Sequence, residues 1–175
     1  VFTSDRISNS DIYTNERPLS DRDAIEHIKE WDITERGIKY NTYRDHNIDI
    51  FTSDIDGSNT IRLTSARASD YQPDWSSDGR WIVFSSLRHN NSEIFKIRSD
   101  GTDLERLTNN NYNDDQPAWS PEGNLIAFVS DRSGSKNIYV MGFNGTNQIQ
   151  ITNSLSGLNS PTWIKCKTGT LKKAG

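Results

Sequence analysis

The sequence has a single cysteine, no block of basic residues and no long apolar run, and each of these absences excludes a class of protein. Cys166 alone cannot form an intramolecular disulfide or a cysteine-rich zinc site. A membrane-spanning helix needs roughly 20 consecutive apolar residues, and no stretch of this chain approaches that length. With 20 basic against 24 acidic residues, the chain lacks the positive surface that binding to a phosphate backbone requires. Membrane insertion and nucleic-acid binding are therefore not expected.

The chain is also poor in apolar residues, which make up 32% of its 175 positions. Such a low content would suggest disorder, but five Trp, six Tyr and six Phe argue against it, because disordered chains contain few aromatic residues. The composition instead favours a folded β protein with small cores. The chain begins at Val1 and has no signal-peptide segment, so we expect a processed chain or a part of a longer one.

A repeat of 44 residues runs through the sequence and predicts its fold. Trp75, Trp119 and Trp163 are each 44 residues apart, and the residues around them match. Each period contains four short strand-like segments separated by turns that contain glycine. Asp100–Gly101 and Asn144–Gly145 are typical of two-residue hairpin turns with positive φ. Repeated four-stranded antiparallel units of this length are typical of the blades of a β-propeller.

The repeat assigns residues 1–175 to a single all-β propeller domain of about four blades. Three blades are predicted at residues 29–64, 73–108 and 117–152, and a fourth would combine residues 1–20 with residues 161–165. That fourth blade requires the ring to close on itself. A new strand near Thr168 would instead make the chain a portion of a larger propeller, and the sequence leaves both arrangements open.

Residues 116–141 contain the motif that links this repeat to a known family. They read Gln-Pro-Ala-Trp-Ser-Pro-Glu-Gly, then an apolar strand, Ser-Asp-Arg and Asn-Ile-Tyr. This pattern resembles the TolB-like β-propeller repeat, and the resemblance extends over residues 1–164. It implies a periplasmic or extracellular protein, with a cytoplasmic one as the alternative. The family includes a periplasmic protein of the Tol–Pal system, propeller domains of serine peptidases and a few lyases, so the motif does not define an activity.

An arginine recurs in every repeat, four residues after the aromatic residue of the second strand. The members of this set are Arg6, Arg44, Arg88 and Arg132. All are predicted on loops between the second and third strands. The loops that lead into the first strand share this face of a propeller and carry Asp70, Asp114 and Asp115. Each arginine could clamp a nearby carboxylate or carbonyl. Alternatively, the four could form a cationic ring that binds an anionic partner.

Trp81 is a further candidate for ligand contact because it has no counterpart in the other repeats. Trp75, Trp119 and Trp163 are expected in the core, since they recur with the blade period. His27, His46 and His89 fall at unrelated positions, and no Gly-x-Ser-x-Gly elbow surrounds a serine. The sequence therefore predicts no catalytic residue, no cofactor and no metal ligand.

These features favour a non-enzymatic binding module that presents a polar loop face to a protein or peptide partner. The candidate contact residues are Arg6, Arg44, Arg88, Arg132, Asp70, Asp114, Asp115 and Trp81. One alternative is a propeller that binds a glycan or small ligand through exposed tyrosines such as Tyr43, Tyr71 and Tyr112. Another is the propeller portion of a peptidase or lyase. The sequence leaves the oligomeric state open.

Overall fold

The computed structural model is all-β in the part of the chain that it describes. It describes the backbone of residues 2–6, 9–14, 17–18, 31–34 and 37–44, and both backbone and side chains of residues 47–54 and 57–163. The strands form four antiparallel sheets, which confirms the predicted fold class. In these ranges there is no helix with the length and apolar character that crossing a bilayer requires.

Each sheet is one blade, and strands that are consecutive in the chain pair with each other. Blade I contains β1 (Phe2–Arg6), β2 (Asn9–Thr14) and β3 (Arg17–Pro18). Blade II contains β4 (Trp31–Thr34), β5 (Gly37–Arg44), β6 (Asn47–Ser53) and β7 (Ile61–Arg62). Blade III contains β8 (Asp70–Trp75), β9 (Trp81–Ser86), β10 (Glu93–Arg98) and β11 (Glu105–Arg106). Blade IV contains β12 (Asp114–Trp119), β13 (Leu125–Ser130), β14 (Asn137–Gly142) and β15 (Ile149–Gln150).

The first strand of blades III and IV begins earlier than the sequence predicts. In blade IV the pairing of β12 with β13 shifts register between Asp115 and Ala118, and blade III has the same irregularity. Gln116, inside this bulge, has a φ of 54°. The bulge accommodates the proline that follows, so the ladder continues on its upstream side. The two strands therefore begin at Asp70 and Asp114, rather than near residues 73 and 117.

In blades III and IV the turn between the third and fourth strands is a three-residue loop, not the two-residue turn that the sequence predicts. The Arg98 amide donates to the Thr102 carbonyl and the Gly101 amide to the Arg98 carbonyl, both at 2.9 Å. Gly101 has a φ of 84°, as expected for the left-handed residue that ends a type I turn in such a loop. In blade IV, a Cβ on Gly145 would lie 2.6 Å from the Leu107 carbonyl oxygen. Only glycine fits this close approach between blades.

Blade III is packed on both faces, because the side chains of its strands point alternately to either side. One apolar cluster joins it to blade II and contains Ile50, Leu63, Ile82, Phe84, Phe95 and Ile97. The other joins it to blade IV and contains Val83, Ile94, Leu107, Trp119, Ile126, Phe128, Tyr139 and Met141. The cores of this protein thus lie between blades rather than within them.

The far face of blade IV has no covering blade among the described residues. Ile151 is 59% exposed, whereas Leu63 and Leu107, its counterparts in blades II and III, are 8% and 7% exposed. The difference follows from position, since each of the two leucines belongs to a cluster shared with the next blade. A shallow depression of about 380 Å³ lies on this face, lined by Ser133, Gln150, Ile151, Thr152 and Asn153.

The segment from Ser160 to Trp163 makes one contact typical of a first strand, through the Ser160 amide, and one of its own, through the Trp163 indole. Ser160 has a φ of 53°, close to that of Gln116, and its amide donates to the Gln116 side-chain carbonyl. The Trp163 indole donates to the Ala118 carbonyl at 3.0 Å. Residues 164 and 165 lie outside the described residues, so the fourth blade formed from the two ends of the chain stays a prediction.

We expect Leu107→Ala to lower the free energy of unfolding by about 2 to 5 kcal/mol, because it opens a cavity in the core between blades III and IV. Ile151→Ala is the matched control, since this exposed residue occupies the same position in the next period. Its effect should stay within about 0.5 kcal/mol. Urea denaturation of both variants measures the difference, and equal losses would contradict this account of the core.

Candidate functional site

Arg88 is held by three kinds of contact within blade III. Its Nη2 atom donates to both carboxylate oxygens of Asp70, at 2.9 and 2.8 Å, and its Nε donates to Ser86 Oγ at 2.8 Å. The guanidinium carbon lies 4.7 Å from the centroid of the Phe95 ring, which is cation–π distance. Asp70 is fully buried and 18% of the Arg88 side chain is exposed. The guanidinium is therefore directed inward, in the geometry of a structural clamp.

Arg132 repeats this arrangement in blade IV with two differences. Its Nη2 donates to Asp114 Oδ2 at 2.7 Å, its Nε donates to Ser130 Oγ at 2.8 Å, and its Cζ lies 4.9 Å from the Tyr139 ring centroid. Its Nη1 donates to Gln148 Oε1 at 2.8 Å. Asp114 Oδ1, although buried, has no hydrogen-bond partner among the described residues. The second clamp is thus held by one carboxylate oxygen instead of two.

The predicted loop positions of several candidates are wrong. Arg6 and Arg44 are the last residues of β1 and β5, and their side chains lie outside the described residues. Asp70 and Asp114 are the first residues of β8 and β12. Asp115 follows within β12. The bulge explains why Asp70, Asp114 and Asp115 lie in strands, because it extends each first strand into a segment that was expected to be a loop.

Asp115 takes part in a contact between two blades. The Tyr71 hydroxyl of blade III lies 2.9 Å from Asp115 Oδ1 and 2.8 Å from Ser92 Oγ. Burial raises the pKa of Tyr71, and the nearby Asp115 carboxylate raises it further, so the phenol remains protonated and donates. Asp115 therefore has a partner in the neighbouring blade.

Trp81 lies away from the other candidates, at the opposite end of the strands. Its half-buried ring packs at the margin of the core between blades III and IV. Lys96 Nζ lies 4.5 Å from the ring centroid and Arg98 Cζ lies 4.8 Å from it. The same Lys96 Nζ is 5.1 Å from the Phe143 ring centroid and 3.2 Å from Glu105 Oε2. The structure thus places Trp81 in a separate cluster of aromatic and cationic side chains.

A second set of buried polar side chains was missed in the sequence. One such residue lies at or near the start of the third strand in each of blades II, III and IV. The residues are Asp49, Glu93 and Asn137. Arg62 Nη2 contacts Asp49 and Arg106 Nη2 contacts Glu93. All of these positions follow the 44-residue spacing, and this spacing could have revealed the set in the sequence. Two further buried acids are therefore bonded to arginines that are partly exposed, and blade IV has an amide in place of the acid.

Glu93 connects blade III to the loop that leads into blade IV. Its Oε1 accepts hydrogen bonds from the Asn110 amide and from Arg106 Nη2, both at 2.9 Å. It also accepts one from Asn91 Nδ2 at 3.0 Å, while Thr108 Oγ1 donates to its other oxygen. Burial alone would raise the pKa of this carboxyl, but these donors outweigh burial and lower it.

Asp49 is equally buried, but its pKa moves in the opposite direction. Burial raises the pKa of this carboxyl, and the hydrogen bond and charge of Arg62 counteract only part of that effect. The Asp70 carboxylate nearby raises it further. Two carboxylates at corresponding places in adjacent blades therefore respond differently to acid.

Residues 47–54 and 57–163 contain no cluster of three or more His, Cys, Asp or Glu side chains that could hold a metal ion. His89, in this part of the chain, stacks on Phe95 with 5.9 Å between ring centroids. His27 and His46 lie outside the described residues.

The chain is similar to known TolB propellers. A family model described as the TolB beta propeller domain matches residues 6–168. Among solved structures, TolB of Agrobacterium tumefaciens is 29% identical, with a TM-score of 0.67 over 77% of this chain and 51% of that one. TolB of Acinetobacter baumannii is 22% identical, with a TM-score of 0.67 over 85% and 38%. The chain therefore spans about half or less of the length of these relatives.

The same fold occurs in peptidase structures. Puromycin hydrolase is 20% identical, with a TM-score of 0.56 over 71% of this chain and 23% of that one. At this identity the similarity concerns the fold alone. Among curated proteins, none is similar enough in sequence to count as a match.

We expect Arg88→Met to lower the free energy of unfolding by about 3 to 5 kcal/mol, because it leaves the buried Asp70 carboxylate without its counter-charge. The double variant Asp70→Asn/Arg88→Met should recover part of the loss. Arg67→Met, at an exposed position, is the control and should have little effect. If Arg88→Met were no more destabilising than Arg67→Met in urea denaturation, the clamp would contribute nothing to stability.

Glu93→Gln should lower the free energy of unfolding at pH 7. The folded-state pKa of Glu93 is below its ordinary value of 4.5, so its carboxylate stabilises the fold above that pH and ceases to do so as the pH falls through the lowered pKa. The difference between variant and wild type should therefore shrink on acidification. For Asp49 the folded-state pKa is raised, so its contribution to stability is greatest at low pH and falls as the pH rises through that pKa. Asp49→Asn should accordingly show the opposite trend, and parallel pH profiles would contradict both assignments.

Proposed function

Because this chain belongs to the TolB β-propeller family, we propose that it is a non-enzymatic binding module that presents a loop face to a protein or peptide partner. The observation that carries the proposal is the internal pairing of the charged groups on this face. Asp70, Glu93 and Asp114 are all buried and bonded to arginines. The loops are therefore held in a fixed arrangement, which reduces the entropic cost of binding.

In this proposal the arginine clamps support the loops, and the exposed side chains contact the partner. Arg88 and Arg132 use most of their donors within their own blades. Exposed residues of the same loops then form the contact surface, among them Leu87, Asn111 and Tyr112. A periplasmic or extracellular location belongs to the same proposal and is supported by family membership.

Two other functions remain candidates for this fold. A glycan-binding propeller would use exposed aromatic rings and free carboxylates; Tyr112 is 49% exposed, but Tyr71 is bonded to Asp115. A role as the propeller portion of a peptidase is suggested by the similarity to puromycin hydrolase and to the tricorn protease, which has a TM-score of 0.55 at 17% identity. Glycan arrays and peptidase assays of the full-length chain test these alternatives directly.

Site-specific photo-crosslinking in cells of the source organism tests the proposal. A photo-reactive amino acid in place of Asn111, which is exposed on the loop face, should crosslink to a protein partner. The same amino acid in place of Glu122, exposed at the other end of the strands, is the control and should give no such product. Absence of a protein product at position 111, or equal products at both positions, would overturn the proposal.

A further inference from the structure

Tyr112 is an exposed aromatic side chain on a backbone that is bonded on both sides. It lies on the loop between β11 and β12, and 49% of its surface is exposed. Its amide donates to Asn110 Oδ1 at 2.8 Å, and its carbonyl accepts a hydrogen bond from Asn91 Nδ2. The residue is therefore presented to solvent from a fixed position.

The loop around Tyr112 is attached to both neighbouring blades. The Asn113 amide and Nδ2 donate to the two oxygens of Asp131 in blade IV, each at 2.9 Å. On the other side, the Ser92 amide of blade III donates to Asn113 Oδ1 at 3.3 Å. The Asn110 amide donates to the buried Glu93. Because these bonds hold the loop on both sides, binding at Tyr112 would require little ordering of it.

Tyr112 also departs from the repeat. The corresponding positions in the adjacent periods are Ala68 and Ser156. A residue that recurs in every blade serves blade architecture, whereas an exposed aromatic that occurs once in the register has no such explanation. Leu87, which is 43% exposed, and His89, also exposed, lie on the loop that Asn91 joins to the Tyr112 loop. The His89 ring stacks on Phe95 and the Leu87 amide donates to the Ser69 carbonyl, so both residues lie toward blade II and Tyr112 is the exposed aromatic side chain next to blade IV.

The chemistry of this surface favours a peptide over a glycan. The carboxylates that could hold sugar hydroxyl groups are already used: Asp114 and Glu93 are buried with arginines, and Asp131 accepts from Asn113. Tyr112 and the neighbouring exposed amide of Asn111 remain, and they suit an apolar side chain and the peptide groups beside it. Tyrosines in such settings commonly dominate binding energy.

We infer that Tyr112 is the anchor of the binding surface and takes an apolar side chain of a peptide segment. This inference rests on the proposed function and specifies its site. The surface lies at the end of blades III and IV where β12 begins, opposite the end that carries Trp81 and Phe143.

Selection from a phage-displayed library of linear peptides, with the full-length chain immobilised, tests the inference. Selected peptides are then synthesised, and their affinities are measured by fluorescence anisotropy. Tyr112→Ala should weaken binding by about tenfold or more, which is the loss expected for an anchor residue. Phe143→Ala is a matched control, because Phe143 is 48% exposed at the opposite end of the strands; it should leave affinity unchanged.

The outcomes separate this inference from the proposed function. If selected peptides bound Tyr112→Ala as tightly as the wild type, the anchor would be elsewhere and the inference would be overturned, while a binding role would stand. Enrichment of no peptide above background would also overturn it. Failure of crosslinking at position 111, in contrast, would contradict the proposed function itself. Circular dichroism of Tyr112→Ala verifies that a loss of affinity does not come from unfolding.

Discussion

The packing of one blade against the next is the constraint on which the rest of this structure depends. A four-stranded sheet with apolar side chains on both faces cannot bury them alone, so its neighbours on either side must complete the cores. Blade III demonstrates this, since Phe84 and Val83, adjacent in β9, belong to different clusters. Each cluster is small, which explains how a chain with only 32% apolar residues can fold.

At the end of the strands where the loops are exposed, the apolar packing gives way to buried acids paired with arginines. The buried carboxylates of Asp70, Glu93 and Asp114 would destabilise the fold if they were unpaired. Arginines from the same blade compensate them, and the loop amides that bond Glu93 join blade III to the loop entering blade IV. The loop face is thus ordered by the same interactions that stabilise the junctions. A fixed loop face on a repeated scaffold is suited to recognition by a few side chains that differ from the repeat.

Much of the fold could be predicted because the 44-residue period repeats both the strand pattern and the turns. Local geometry was harder to predict. Gln116 precedes a proline, and a strand was expected to start there, but its left-handed φ produces a bulge that allows pairing on both sides. The Asp–Gly and Asn–Gly pairs indicated hairpins correctly but not their loop length, which depends on the φ of residues around the glycine.

The site was predicted less completely, and for a physical reason. The recurring arginine was visible in the sequence, whereas its pairing with Asp70 depends on where the first strand begins. The second acid, Glu93, lay within an apolar strand and drew no attention, although Asp49 precedes it by one period. When a charged residue recurs in a repeat, a recurring residue of opposite charge should be sought with it, because a buried charge requires a counter-charge. Trp81 departs from the repeat as predicted, yet its neighbours are Lys96 and Arg98, not the arginine clamps.

The hydrogen bonds between first strands give the array a direction. The Gln72 side chain accepts the amide of Gln116, and the Gln116 side chain accepts the amide of Ser160. At these two junctions an acceptor on the preceding unit therefore meets a donor on the following one. Gln116 donates through its backbone amide and accepts through its side chain, so this one residue links blade III in series to the segment that begins at Ser160.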